Sequence, residues 1–187
     1  MIRLETKDDF ERARESLRRR DADELAMFLL SLAGRSGPVG EQIRTFIGGE
    51  DVAATVDSLR KRIGAIERAS EYDHRHSLGR EVGIQLGMIV DSVEQLLLIR
   101  DPRSAFDVLV SLFEADAVAM ESCGEHDWHV ESAYKRAAEV MAAAARHIPR
   151  AEIEDRIKAL LQADGYAVRS VLKSVLRDGH MDRRDTK

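Results

Sequence analysis

Amphipathic helical segments succeed one another from Asp8 to Leu176, and no stretch between them alternates as a strand would. Apolar stripes of that kind are stable in water only when other helices cover them, so the fold class is all-α. The pattern dictates architecture and leaves activity open, because stacked helices carry many unrelated functions.

The segments differ in what they offer a core. Phe10, Ala13 and Leu17 make a sparse stripe in a highly charged first segment, which predicts weak packing at one end. Asp21 reads as an N-cap with Glu24 in a variant capping box, and Leu25, Phe28, Leu29 and Leu32 follow as a short core helix stopped at Gly34. Gly37-Pro38-Val39-Gly40 reads as a turn before a short helix carrying Ile43, Phe46 and Ile47. Val52, Val56, Leu59, Ile63 and Ile66 form a narrow helix-pairing seam.

A long helix then runs from Leu78 through Leu86 and Val93 to Leu97. Gly79, Gly83 and Gly87 weaken it by about 1 kcal/mol each, which calls for a neighbouring helix in close approach. Asp101-Pro102 is a strong helix start, and Ala105, Phe106, Val108, Leu109, Leu112 and Phe113 leave that helix little polar face, so it should be central. Val130, Ala133, Tyr134, Ala137, Val140, Met141 and Ala144 mark the next helix, Ile153, Ile157, Leu160 and Leu161 another, and Val168 to Leu176 a last one packing back antiparallel.

Helix starts near Asp51, Ser77, Pro102, Asp127 and Arg150 recur at roughly 25-residue spacing, as stacked hairpins would. The expected architecture is therefore an α-solenoid of antiparallel helical hairpins, HEAT- or armadillo-like, with a compact orthogonal bundle as runner-up. A chain of 187 residues suits one domain, here expected over residues 1–177, with 178–187 a disordered polar tail.

The stretch from Asp21 to Leu176 resembles an uncharacterised bacterial all-helical family. The residues that carry this are Asp23-Glu24-Leu25, Leu59 to Ile66, Tyr72-Asp73, Asp101-Pro102 with the Leu109 to Phe113 core, and Leu160-Leu161-x-x-Asp164-Gly165-Tyr166. That family is a domain of unknown function, with similar regions beside SWIM-type zinc fingers in longer proteins. The resemblance implies a helical, repeat-like fold and no activity or functional residues. A SWIM finger needs Cys-x-Cys followed by Cys-x-His, and with the single Cys123 it is not encoded here.

Charge narrows the partners. The net charge is −5, and the basic clusters Arg18-Arg19-Arg20 and Arg60-Lys61-Arg62 lie among acids, so they read as solvated faces and argue against nucleic acid. No apolar run is long enough to span a bilayer, and Cys123 alone forms no internal disulfide, which fits a cytoplasmic setting.

Chemistry-bearing residues gather in two polar breaks. Asp73, His74 and His76 occupy one, and Cys123, Glu125, His126, Asp127 and His129 the other. His74, His76, Cys123, His126 and His129 are of the kind that binds zinc, provided the two breaks meet at one edge of the stack. The plainer account is that turns and caps collect such residues for their own hydrogen bonds, and no recognised zinc motif has this spacing. Glu71-x-x-His74 is a single copy of a unit that di-iron bundles use twice. Gly-x-Ser-x-Gly elbows and P-loops are absent. No cofactor is expected.

The leading reading is a non-enzymatic helical-repeat module that binds another protein, with Tyr72, Trp128 and Tyr134 as anchors where exposed, and Tyr166 a weaker one. A metal-dependent enzyme using the two His-bearing breaks is the alternative. Ala- and Gly-rich helix faces serve internal packing or self-association equally well, so a homo-oligomer stays open.

Overall fold

The computed structural model describes residues 6–34, 37–48, 51–72, 79–121, 128–163, 165 and 168–178, and every regular element among them is helical. The chain divides into two compact units, residues 1–44 and 45–187.

The first unit holds α1 (Lys7–Arg18), α2 (Ala22–Ala33) and most of α3 (Pro38–Ile47). Thr6 caps α1 in a reciprocal box with Asp9. Asp21 caps α2 as the spacing predicts, accepting from the N–H groups of Asp23 and Glu24. Glu24 does not complete a box, because Arg20 holds its carboxylate at 3.1 Å. The expected core helix is not one: α2 has no buried residue, and Phe28 is 60% exposed, with Leu25, Leu29 and Leu32 half-buried. The predicted turn at Pro38 is also corrected. Gly37, at φ +105°, makes the reversal, and Pro38 begins α3, where its preset φ and missing N–H cost nothing.

The second unit contains α4 (Val52–Tyr72), α5 (Gly79–Ser92), α6 (Pro102–Glu114), α7 (Asp116–Glu121), α8 (Trp128–Ala145), α9 (Arg150–Gln162) and α10 (Leu172–Asp178). Leu59, Ile63 and Ile66 bury the predicted seam of α4. The long helix anticipated from Leu78 to Leu97 changes register at its end, where Leu98 N–H donates to the Val93 carbonyl five residues back at 2.9 Å. Ser92 lies just before that turn and bonds back to the Met88 carbonyl at 2.8 Å, a contact that bends helices.

Asp101 caps α6, accepting from the Ser104 N–H at 3.1 Å and the Ser104 hydroxyl at 2.7 Å. These bonds, the hydroxyl foremost, hold its carboxyl below the usual 3.8. All the apolar positions predicted for α6 and α8 are buried. The break at Ala115, which starts the short α7, was not legible from periodicity.

Packing follows a consistent order. Among the longer helices α4 pairs with α5, α6 with α8 across the short α7, and α9 with α10; in addition α4 lies against α6 and α6 against α9, while α5 lies against α8 and α8 against α10, and α7 packs on α4. The core runs through these contacts, with Phe106, Phe113, Tyr134 and Met141 essentially inaccessible.

Candidate functional site

Three places in the second unit hold polar or aromatic side chains in defined geometry. The first is where α8 begins. A Cβ on Gly83 would lie 2.5 Å from the His129 Cβ and 2.9 Å from the Val130 nitrogen, so α8 starts directly against α5 and only glycine fits there. This is the close helix approach that the glycine spacing predicts, and it belongs to Gly83; nothing lies within 4 Å of a Cβ on Gly87. Trp128 is the first residue of α8, 67% exposed, with its ring centroid 3.6 Å from that of half-buried His129. The Gly83 contact therefore holds a large, solvent-facing aromatic on a rigid base.

Of the other expected anchors, Tyr134 is corrected. It is fully buried, tilted against Phe113 at 5.3 Å between centroids, and its hydroxyl donates to the Leu112 carbonyl at 3.4 Å. An apolar stripe on every turn of α8 placed it inward, so it builds core and offers no surface. Tyr72 ends α4, and its side chain, like Tyr166, lies outside the described residues. The same holds for His74, His76, Cys123 and His126, which leaves His129 as the described member of the candidate metal set. Among the described residues no cluster of three or more His, Cys, Asp or Glu side chains is placed to hold a metal ion.

The second place is a buried ion pair. The Arg169 guanidinium donates twice to the Asp116 carboxylate, both at 2.6 Å, and once to the Leu160 carbonyl at 3.0 Å. Asp116 is 1% and Arg169 5% exposed. One side chain thus ties the start of α7, the last turn of α9 and the turn before α10. Sequence reading missed it, since the partners are 53 residues apart and each looks like an ordinary surface charge. Full bonding on both sides marks it as structural.

The third is a groove of about 460 Å³ between α8 and α10, lined by Lys135, Lys173 and Arg177 over the aliphatic Ala138 and Val171. It contrasts with the α6–α9 contact, where cations are matched: Arg103 grips Glu152 through two bonds of 2.7 and 2.8 Å, and Arg156 pairs with Asp107 while covering the Phe106 ring at 5.2 Å. Glu152, in the first turn of α9, is thereby a cross-helix partner. Near the end of α5, Asp91 is raised above its ordinary value by burial, which outweighs the nearby Arg136; Arg136 itself pairs with Glu94.

Most members of the basic clusters behave as solvated faces, with Arg19 paired to Glu15, Arg20 to Glu24 and Lys61 to Asp57, whereas Arg62 is half-buried with its Nη1 shut off from solvent. No described helix is long and apolar enough to cross a membrane.

No curated protein and no solved structure matches the chain. A family model does, over residues 13–178, which takes in the helices from the middle of α1 through α10. The chain belongs to that family, described as a family of unknown function (DUF6880).

Proposed function

We propose that this protein is a non-enzymatic helical-repeat module that binds another protein. The observation that carries the reading is Trp128, a tryptophan exposed to 67% yet braced by His129 and by the tight α5–α8 contact at Gly83. Rigid, amphipathic aromatics of this kind lose little entropy on binding and dominate interface energies. The packing order supports the repeat architecture. With α4, α6 and α9 as one row and α5, α8 and α10 as another, each hairpin contacts the next in both rows, as in an α-solenoid. The uncovered apolar residues of α2, Met27, Phe28 and Leu30, add surface suited to a protein partner. A single cysteine fits a reducing, cytoplasmic setting.

The test is affinity capture from lysate of the source organism with tagged wild type and Trp128→Ala, quantified side by side, with melting temperatures as a folding control. A partner retained near stoichiometry by wild type and lost in the variant supports the reading. Equal retention by both proteins removes Trp128 as the anchor.

A second reading, a metal-dependent enzyme with His74, His76, Cys123, His126 and His129 as ligands, draws on one observation. The Gly83–His129 contact brings the beginnings of α5 and α8 together, and the two His-bearing breaks immediately precede those helices. It predicts stoichiometric zinc by elemental analysis, lost in His126→Ala/His129→Ala; protein purified from zinc-supplemented culture without bound metal ends it.

A further inference from the structure

We propose that the groove between α8 and α10 is the docking site for an acidic segment of a protein partner. This deepens the interaction-module reading and rests on it. Lys135, Lys173 and Arg177 line the groove, and among the described residues none of them forms a hydrogen bond or ion pair. Several other cations of this unit are matched. On the α6–α9 side Arg103 and Arg156 are matched by Glu152 and Asp107, and the buried Arg169 by Asp116. In a chain of net charge −5, three cations gathered around one concavity against the single carboxylate of Glu139 form a local positive field that an anionic partner would complement.

The lining selects among anions. Ala138 and Val171 give the groove an aliphatic floor, and its volume of about 460 Å³ falls in the range of ligand-sized clefts, far above the space a lone phosphate needs. Among the described residues no aromatic side chain lines it, so these offer none of the stacking platform on which single-stranded nucleic acid is held. Glu139 on the α8 rim disfavours a densely charged polyanion and tolerates a segment in which acids alternate with apolar residues. Such a segment places carboxylates on the two lysines and the arginine and an aliphatic side chain on the floor.

The experiment uses the full chain and a fluorescein-labelled peptide alternating Glu with Leu and Ser, measured by anisotropy at low and at physiological salt. A Gln-for-Glu version of the peptide is the control. Expected are salt-sensitive binding of the Glu peptide, at least tenfold weaker binding of the Gln peptide, and at least tenfold loss in Lys173→Glu/Arg177→Glu with an unchanged melting temperature. Arg80→Glu, an exposed cation outside the groove, should leave affinity within twofold. Amide shift changes should centre on Ala138, Ser170 and Ser174.

No saturable binding to millimolar protein, an equal loss in Arg80→Glu, or shifts centred elsewhere overturns the proposal. So does tighter binding of a single-stranded oligonucleotide or of inorganic phosphate than of the peptide. The parent reading fails separately: a captured partner that survives Lys173→Glu/Arg177→Glu but not Trp128→Ala removes the groove and leaves the interaction module standing.

Discussion

Residues 1–44 and 45–187 are built from the same kind of amphipathic helix, yet they bury their apolar stripes to very different extents. Helix α2 is richer in leucine than α9, yet buries nothing, whereas α9 buries Ile153, Ile157 and Leu160. The difference lies in the neighbours. Helix α9 contacts both α6 and α10 and is fastened to α6 by Arg103–Glu152 and Arg156–Asp107. Within its own unit α2 has the charged α1 and most of α3 as neighbours, with a bond from the Arg44 side chain to the Ala33 carbonyl. Apolar content creates a demand for cover, and only a second matching face meets it.

The contrast breaks most readily at the buried ion pair. Arg169→Ala leaves Asp116 charged and unpartnered, and should cost about 3–5 kcal/mol in urea unfolding of the second unit. Replacing both residues with leucine should recover most of that loss; a double variant as unstable as the single one would mean that the cost is packing, not charge.

Next in size is Gly83→Ala. The new methyl would meet α8 backbone, so about 1–3 kcal/mol should be lost despite better helix propensity. Gly87→Ala, which meets nothing within 4 Å, should instead gain up to about 1 kcal/mol. Thermal melts of the pair read the difference directly.

Loss of the α6 cap is smaller, with Asp101→Ala costing about 0.5–2 kcal/mol at pH 7. Because the folded-state pKa of Asp101 is lowered from 3.8, the carboxylate's contribution is complete above that value and is lost as pH falls through the folded pKa. The gap between wild type and the Ala variant should therefore shrink in urea titrations carried from pH 7 to pH 3, while Asp101→Asn shows no such titration.

The smallest effect belongs to the first unit. Phe28→Ala, on a side chain 60% exposed, should change stability by less than about 0.5 kcal/mol, and α2 amides should exchange hydrogen faster than those of α8. A loss of several kcal/mol would show that α2 is covered in solution, and the contrast between the units would fall.

Much of the fold was legible. The stripes of α6 and α8 were read residue by residue, because a helix buried on most sides leaves a periodic record. The Asp101 cap and the close approach at Gly83 were legible for the same reason: each is a local demand written in one or two residues. The candidate site was less so. Tyr134 was read as an anchor where exposed, although its position in the α8 stripe already placed it inward. Trp128, in a polar break, had no periodic context and needed its exposure and the His129 ring beside it to take on a role.

Sequence by itself determined the helical class, the helix identities from α4 to α10 apart from the short α7, and the inward faces of the central ones, since these depend on spacing within one segment. Tertiary structure decided which stripes found cover, that α5 meets α8 through Gly83, that Arg169 seeks out Asp116, and that Lys135, Lys173 and Arg177 share one groove. The reason is physical. Periodicity encodes a helix's preference for burial, but a contact joins residues tens of positions apart, and its energy exists only once both partners are brought to the same place.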